Sequence, residues 1–404
     1  MSLEIVTPKM RGFISLSAHP GGLKNLVNNQ VSRTPIINDG KVNNALILGS
    51  SMGYGLASSI VSLFGFQANT LGVCFERPPQ KNKTGSAGWY NSGELIQIAQ
   101  ENNLSFEVYN GDAFNELTKN TVIDHLKSNY GKIDLLVYSL AAPRRIDNKS
   151  DKVWNSTLKP LNKPAFIKNI NLQNHSFEEI EVRSHASDDE VLSTIKVMGG
   201  EDWQLWIDIL KENNLLSDNF KTVAFSYIGP EVTEKIYRTG TIGKAKENLE
   251  ATASTINADL RSSLLHSEAR VSINKAIVTQ ASSAIPGVPL YMSMLFQLMK
   301  ANETHEDALD QIIRLFIDKK FHTPETVVDE HGLIRLDDYE LEDKIQDEIK
   351  NRWQMLTENN YLSLIDLEQY KQDFNQIFGF SVDGIDYTNQ VETDPRYSIM
   401  DVGE

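Results

Sequence analysis

The stretch KIYRTGTIGKAKENLE, residues 235–250, sets a phenol, Tyr237, nine residues before a primary amine, Lys246, with Gly240 and Gly243 between them. Together these groups can do acid chemistry. A tyrosine ordinarily ionises near roughly pH 10, and a neighbouring ammonium favours its anion, making the phenol a better donor toward an oxygen that gains negative charge. Within one regular helix nine residues advance about 13.5 Å and leave the two side chains on nearly opposite faces. The glycines remove that difficulty, because glycine is a poor helix-interior residue. The spacing predicts Tyr237 before or within a break and Lys246 on the first turns of the next helix, folded back toward it. A plainer alternative stands beside this one: Lys246 pairs with Glu250 at i+4 on a solvated face, Tyr237 packs, and Lys244 competes for the amine role.

A second chemical signal is GSSMGYGLASSI, residues 49–60, which follows the apolar run NALILG and opens a helix-like stretch. Gly49, Gly53 and Gly55 let the backbone turn sharply and approach a pyrophosphate, and the helix start offers free N–H groups. Ser50, Ser51, Met52 and Tyr54 fill this turn and are candidate contacts to a dinucleotide. Phe75 and Glu76 end the next apolar run, where a carboxylate accepts hydrogen bonds from an adenosine ribose. That carboxylate would repel the 2′-phosphate of NADP, so NADH is the expected cofactor. The plainer reading of Glu76 is a solvent-facing strand end. Asp112 and Ala113 in GDAF, and Leu140 and Ala141 in SLAAP, fall where loops close over the adenine and nicotinamide halves.

These residues need a scaffold that brings strand ends together. Short apolar runs at 44–49, 70–76, 104–111, 133–140, 222–229 and 269–277 read as strands. Amphipathic stretches at 54–65, 92–102, 114–129, 244–265 and 289–301 read as helices between them. The alternation predicts an α/β fold, a Rossmann-like doubly wound parallel sheet with helices on both faces. Residues 142–200 read as an insertion at the substrate crevice after the fourth strand. Residues 302–404 read as an α+β appendage that starts with a helix, continues into a hairpin in TVVDEHGLIRLDDYE and adds two further helices. The pieces lack a Pro/Gly-rich linker, so 1–404 is expected to form one integrated body.

At 404 residues, 40% hydrophobic and 23% charged, the composition is that of a globular protein. A net charge of −15 argues against general nucleic-acid binding. Residues 143–169 are locally basic, a solvated loop on the plain reading and a landing strip for an anionic cofactor tail on the functional one. The apolar runs are too short to span a bilayer, and the start lacks the apolar stretch of a signal peptide, so a cytoplasmic location is expected. The single cysteine, Cys74, reads as a buried strand residue. The eight histidines lack metal-ligand spacing, so no metal is implied. Trp203, Trp206, Ile207 and Leu210 share one helical face and read as core.

SYIGPEVTEKIYRTGTIGKAK, residues 226–246, resembles the signature of the trans-2-enoyl-CoA reductases, the FabV-type enoyl reductases related to short-chain dehydrogenases. The likeness runs nearly end to end, through RGFISLSAHPGG, GWYN, YSLAAPRR, VMGGEDWQLWI, NKAIVTQASSAIPGVPLY and GFSVDGIDY. It implies NADH-dependent reduction of the 2,3-double bond of an enoyl thioester in fatty acid synthesis. Tyr237 would then be the proton donor, Lys246 a cofactor-binding residue, Tyr227 a substrate contact, and Ile277, Val278 and Thr279 neighbours of the cofactor. Enoyl-CoA or enoyl-ACP is the implied substrate, with contact to an acyl carrier protein and a monomeric state as further expectations. A carbonyl reductase of the same fold and a non-enzymatic NAD-sensing protein remain as alternatives.

Overall fold

The computed structural model describes residues 3–403 except 12, 13, 38, 39, 82, 149, 162, 173, 183, 263 and 265. The six apolar runs form strands β1 (Asn44–Leu48), β2 (Asn69–Cys74), β3 (Phe106–Asn110), β4 (Ile133–Tyr138), β5 (Leu216–Ser226) and β6 (Glu268–Ile273). Two-residue strands β7 (Ile334–Arg335) and β8 (Met400–Asp401) extend its edges. The order is β7-β6-β5-β4-β1-β2-β3-β8, and every neighbouring pair is parallel. Parallel strands need crossovers, and here helices supply them on both faces.

The helices are α1 (Pro20–Arg33), α2 (Gly53–Ile60), α3 (Ala87–Glu101), α4 (Glu116–Asn129), α5 (Asp188–Met198), α6 (Glu201–Glu212) and α7 (Thr241–Arg261). After β6 come α8 (Gln280–Ser283), α9 (Val288–Ala301), α10 (Ala308–Ile317), α11 (Asp343–Met355), α12 (Tyr361–Leu364) and α13 (Leu367–Gln376). Alternate residues of the strands feed two cores. Ala45, Ile47, Leu135 and Val137 pack with Leu56 and Ile60 of α2, Leu95 of α3 and Ile312 of α10. Leu46, Leu48 and Leu136 pack with α4, α6 and α7, where Trp203, Trp206, Ile207 and Leu210 are fully buried. This is the period-two alternation of a strand made into two layers.

Several boundaries differ from expectation. Helix α3 begins at Ala87 rather than 92, because Trp89 and Tyr90 of GWYN turn into a third core with α9, α11 and α13. Helix α2 continues into a π turn over Val61–Gly65. Strand β5 starts at Leu216, six residues before the expected 222, because Leu216 already pairs with Ile133.

The hairpin expected in TVVDEHGLIRLDDYE does not form. Only Ile334–Arg335 is extended, and it joins Ser272 and Ile273 in parallel register. The turn before it is held by the Asp329 carboxylate, which accepts from His331 N and Leu333 N. Between β4 and α6 lie two small antiparallel hairpins, Arg144–Ile146 with Val153–Asn155 and Ala165–Ile170 with Phe177–Val182, followed by α5.

Candidate active site

The strand order reverses between β1 and β4, and an open α/β sheet forms its ligand crevice at such a point. Sequence makes the closure there possible. Gly49 has φ +83°, and a Cβ on it would lie 2.1 Å from the Ser139 carbonyl oxygen. A Cβ on Gly55 would lie 1.8 Å from the Gly49 carbonyl oxygen. The turn after β1, the exit of β4 and α2 are thus packed backbone to backbone. Side chains do not cap the start of α2, which leaves its first N–H groups to an anion.

A cavity of about 780 Å³ occupies this crevice. Gly49, Ser51, Met52, Gly53 and Tyr54 line it from the turn, and Phe75 and Glu76 from the end of β2. Asp112 and Ala113, Leu140 and Ala141, and Ile277, Val278 and Thr279 line it from the ends of β3, β4 and β6. Ser50 departs from this set. Its side chain is buried against β2, where a Cβ on Gly72 would meet Ser50 Oγ at 2.6 Å. The Tyr54 hydroxyl is occupied by the Lys275 carbonyl at 2.6 Å and Gln311 Oε1 at 3.0 Å.

The Glu76 carboxylate is fixed by two hydroxyls. Ser51 Oγ donates to Oε1 at 2.6 Å and Ser86 Oγ to Oε2 at 2.5 Å. Asn110 holds the backbone of Glu76 through both its amide N and its carbonyl. The loop carrying Ala113 is anchored from below: Lys119 Nζ donates to the Ala113 carbonyl and to Asp202 Oδ1, both at 2.7 Å, and Trp206 Nε1 reaches the same carbonyl at 3.2 Å. Burial lowers the Lys119 pKa against the pull of Asp202. A glycine-rich turn, an uncapped helix start and a fixed carboxylate at the end of the second strand fit NADH.

Part of the cavity wall was not expected. Leu23, Leu26, Val27 and Gln30 of α1, with Gln376 and Ile377 at the end of α13, also line it. The α1 residues stand at i, i+3, i+4 and i+7, one helical face, so their periodicity was available as a signal. The two C-terminal residues carry no local signal.

Tyr237, Lys246 and Tyr227 gather around the end of β5, outside the set that lines this cavity. Tyr237 lies in the break before α7, and its carbonyl accepts from Gly240 N and Gly243 N, both at 3.1 Å. Arg238 grips Glu250 with two hydrogen bonds, 3.0 and 3.2 Å, and so ties the break to α7. Lys246, in the second turn of α7, donates to the Phe225 carbonyl at 3.3 Å. Tyr227 and Tyr237 pack ring on ring, with centroids 5.2 Å apart.

The alternative partners resolve accordingly: Glu250 belongs to Arg238, and Lys244 pairs with Glu247 at 2.7 Å near the surface. A direct Lys246–Tyr237 hydrogen bond does not occur among the described residues, and the expected lowering of the Tyr237 pKa by Lys246 is not found. Burial raises the Tyr237 pKa, and the opposing pull comes from Arg238. Burial lowers Lys246 to about 8, opposed by Glu250.

Part of the basic stretch is engaged within the protein, while Arg144, Lys152 and Lys163 stay exposed and Arg144 lines the cavity. Arg145 binds Glu201 and the Lys196 carbonyl, Lys159 binds Glu190, and Lys168 reaches the carbonyls of Trp353 and Leu356.

The family model described as "Trans-2-enoyl-CoA reductase catalytic region" matches residues 83–321, and the one described as "NAD(P)H binding domain of trans-2-enoyl-CoA reductase" matches residues 5–81. The chain belongs to the trans-2-enoyl-CoA reductase family. It is 45% identical to the trans-2-enoyl-CoA reductase [NADH] of Ruminiclostridium cellulolyticum, over 96% of this chain and 98% of that protein. It is 44% identical to the enoyl-[acyl-carrier-protein] reductase [NADH] of Flavobacterium johnsoniae, over 96% and 98%. Among solved structures, the Clostridium acetobutulicum trans-2-enoyl-CoA reductase in complex with NADH superimposes with a TM-score of 0.92 at 38% identity, covering 96% of this chain and 98% of that one. The Treponema denticola trans-2-enoyl-CoA reductase in complex with NAD gives 0.91 at 41% identity, covering 97% and 99%.

A third match, residues 328–391, carries the description "Enoyl reductase FAD binding domain". The hollow bounded wholly by described residues of this segment does not fit a flavin dinucleotide. The hollow in this segment is bounded by Asp366, Glu368, Gln369, Lys371, Gln372, Asn375 and Ser381, without an apolar wall for a flavin ring. Its one cation, Lys371, is held by Glu368 at 2.7 Å, and its carboxylates would repel a pyrophosphate. In this member of the trans-2-enoyl-CoA reductases the segment is a packing element, with Ile345, Ile349, Tyr370 and Phe374 buried against α9.

Proposed function

We propose that Tyr237 is the proton donor, Lys246 and the glycine-rich turn hold the cofactor, and Tyr227 borders the substrate, in an NADH-dependent reduction of trans-2-enoyl thioesters. The chain is an oxidoreductase that uses NADH to reduce the 2,3-double bond of such thioesters to the saturated acyl thioester. Bound NADH supplies a hydride. As C3 of the substrate takes it, the π electrons move toward the thioester oxygen, and a donor aimed at that oxygen lowers the barrier. Tyr237 supplies this donor and then the proton that completes the C2–H bond. Glu76, Asp112 and Ala113 hold the adenosine half, while Leu140, Ala141 and Ile277–Thr279 wall the nicotinamide half.

One observation carries the assignment. The Tyr237 hydroxyl has no protein partner among the described residues, whereas the neighbouring Tyr227 hydroxyl donates to Glu340 at 2.8 Å. The free donor is the one available to a substrate. NADH oxidation is measured with crotonyl-CoA and with a simple ketone, for the unaltered chain and for Tyr237→Phe. The enoyl reading expects turnover of the thioester alone and its loss in the variant with NADH binding kept; an unchanged rate removes Tyr237 from the mechanism.

We read the acyl carrier as CoA. The chain carries a net charge of −15, which disfavours docking of an acidic carrier protein. Rates on the same acyl chain carried by CoA and by acyl carrier protein decide this. The same reading takes 1–404 as one body, because α9 packs against both α11 and α13 of the 302–404 appendage and against the Ala165–Ile170 strand of the 142–200 insertion. No helix is long and apolar enough to cross a membrane among the described residues. We place the enzyme in the cytoplasm, where its one buried thiol, Cys74, stays reduced.

A further inference from the structure

Glu340 comes from the segment just after β7, remote in sequence from the strand ends, and is completely buried. Its Oε1 accepts from the Tyr227 hydroxyl at 2.8 Å and the Tyr291 hydroxyl at 2.6 Å, and its Oε2 accepts from Ala276 N at 2.6 Å. Gln346 Nε2 closes the arrangement, donating to the Glu340 carbonyl at 2.7 Å and to the Tyr291 hydroxyl oxygen at 3.2 Å. One carboxylate therefore joins the end of β5, the segment after β6 and α9.

Burying such a group is costly unless donors satisfy it. Three donors do so here, and Lys275 adds a nearby positive charge, its own ammonium bonded to the Ala276 and Glu306 carbonyls rather than to a carboxylate. The consequence for Tyr227 is specific. A phenol has one proton, and while Glu340 holds it, Tyr227 cannot donate to a thioester oxygen. Its ring, fixed at the hydroxyl end, is the surface on which the Tyr237 ring packs edge to face at 74°.

We propose that Glu340 is a positioning residue for the reduction: by holding the Tyr227 hydroxyl it fixes the ring against which Tyr237 is set, and leaves donation to the developing oxyanion to Tyr237. This rests on the reading of Tyr237 as proton donor. It also gives the 328–391 segment a part in catalysis that needs no flavin.

The test uses the full chain with crotonyl-CoA and NADH, and compares Glu340→Ala, Glu340→Gln, Tyr227→Phe, Tyr237→Phe and the Glu340→Ala/Tyr227→Phe double variant. Glu340→Ala is expected to lower kcat by about 100-fold, the scale of a misplaced reacting group. NADH affinity, read by fluorescence, is expected to stay within about twofold; a larger loss would place the effect at Ala276 N, beside Ile277–Thr279, rather than at Tyr227, and overturn the proposal. Glu340→Gln, which keeps one acceptor, recovers about tenfold of that loss, the worth of one hydrogen bond. The double variant is no slower than the slower single variant, since the two residues act through one contact.

Additive losses, or a lowered melting temperature with unchanged kcat, overturn the proposal. Should Glu340→Ala fail to fold, Tyr227→Phe still breaks the contact from the other side and leaves Glu340 with Tyr291, Ala276 and Lys275; a kcat equal to the unaltered chain then overturns it. An active Tyr237→Phe variant defeats the underlying reading instead, and so is distinguishable from a failure at Glu340.

Discussion

The rings of Tyr227 and Tyr237 meet edge to face, 5.2 Å between centroids and 74° between planes, across the turn that follows β5. An edge-to-face contact places the positive rim of one ring against the negative face of the other and resists sliding. The two hydroxyls end in different situations: that of Tyr227 donates to Glu340, and that of Tyr237 is without a protein partner among the described residues.

That difference predicts the effect of Tyr237→Phe. Loss of a positioned acid costs about 10²- to 10⁴-fold in kcat. The KM for NADH is expected to be unchanged, because the role proposed for the hydroxyl is toward the substrate oxygen and not the dinucleotide. Steady-state rates with crotonyl-CoA check both; a raised KM with a normal kcat would mean that the phenol only binds.

A pH profile follows from Lys246. Burial brings it from 10.5 down to about 8, so the folded protein loses this ammonium as pH rises through about 8 while the unfolded chain keeps it. Activity is expected to decline above about pH 8, with Tyr237 still protonated because burial holds its pKa above the ordinary value. Stability moves the other way: between about 8 and 10.5 the unfolded state binds the extra proton, so this group's contribution rises with pH. The alkaline limb should vanish from the residual activity of Lys246→Gln. Its persistence would assign it to Lys275, also lowered to about 8.

Cofactor choice is predicted to sit on Glu76. Two hydroxyls fix its carboxylate on the cavity wall at the end of β2, where, on the proposed cofactor placement, a 2′-phosphate would meet like charge. Glu76→Ala is expected to raise the ratio of kcat/KM for NADPH over NADH by at least about tenfold, or about 1.4 kcal/mol. An unaltered ratio would leave Glu76 as a structural strand end.

The anchor beneath Ala113 makes a prediction on stability and binding together. Lys119→Met leaves Asp202 buried without its partner, which costs about 3–5 kcal/mol. It also leaves the Ala113 carbonyl held by Trp206 Nε1 alone, so the KM for NADH should rise more than kcat falls. Urea unfolding and steady-state kinetics measure the two; a stability loss without a change in KM would separate the anchor from the cofactor.

Sequence alone settled what is local. Strand-length apolar runs alternating with amphipathic stretches placed six strands, and glycines after the first of them together with Glu76 after the second marked a candidate dinucleotide end. The glycine break between Tyr237 and Lys246 was legible because helix geometry forbids their convergence without one. Tertiary structure decided what depends on which distant segments touch. Whether Lys246 reaches Tyr237 or the Phe225 carbonyl is a matter of packing at the end of β5, and the rise in the Tyr237 pKa is a matter of burial, which no spacing encodes. The wall supplied by Gln376 and Ile377, and the carboxylate of Glu340 that holds Tyr227, come from more than a hundred residues away along the chain. Their roles arise only when the C-terminal segment closes against α9, because a hydrogen bond is set by distance in space and leaves no period in the sequence.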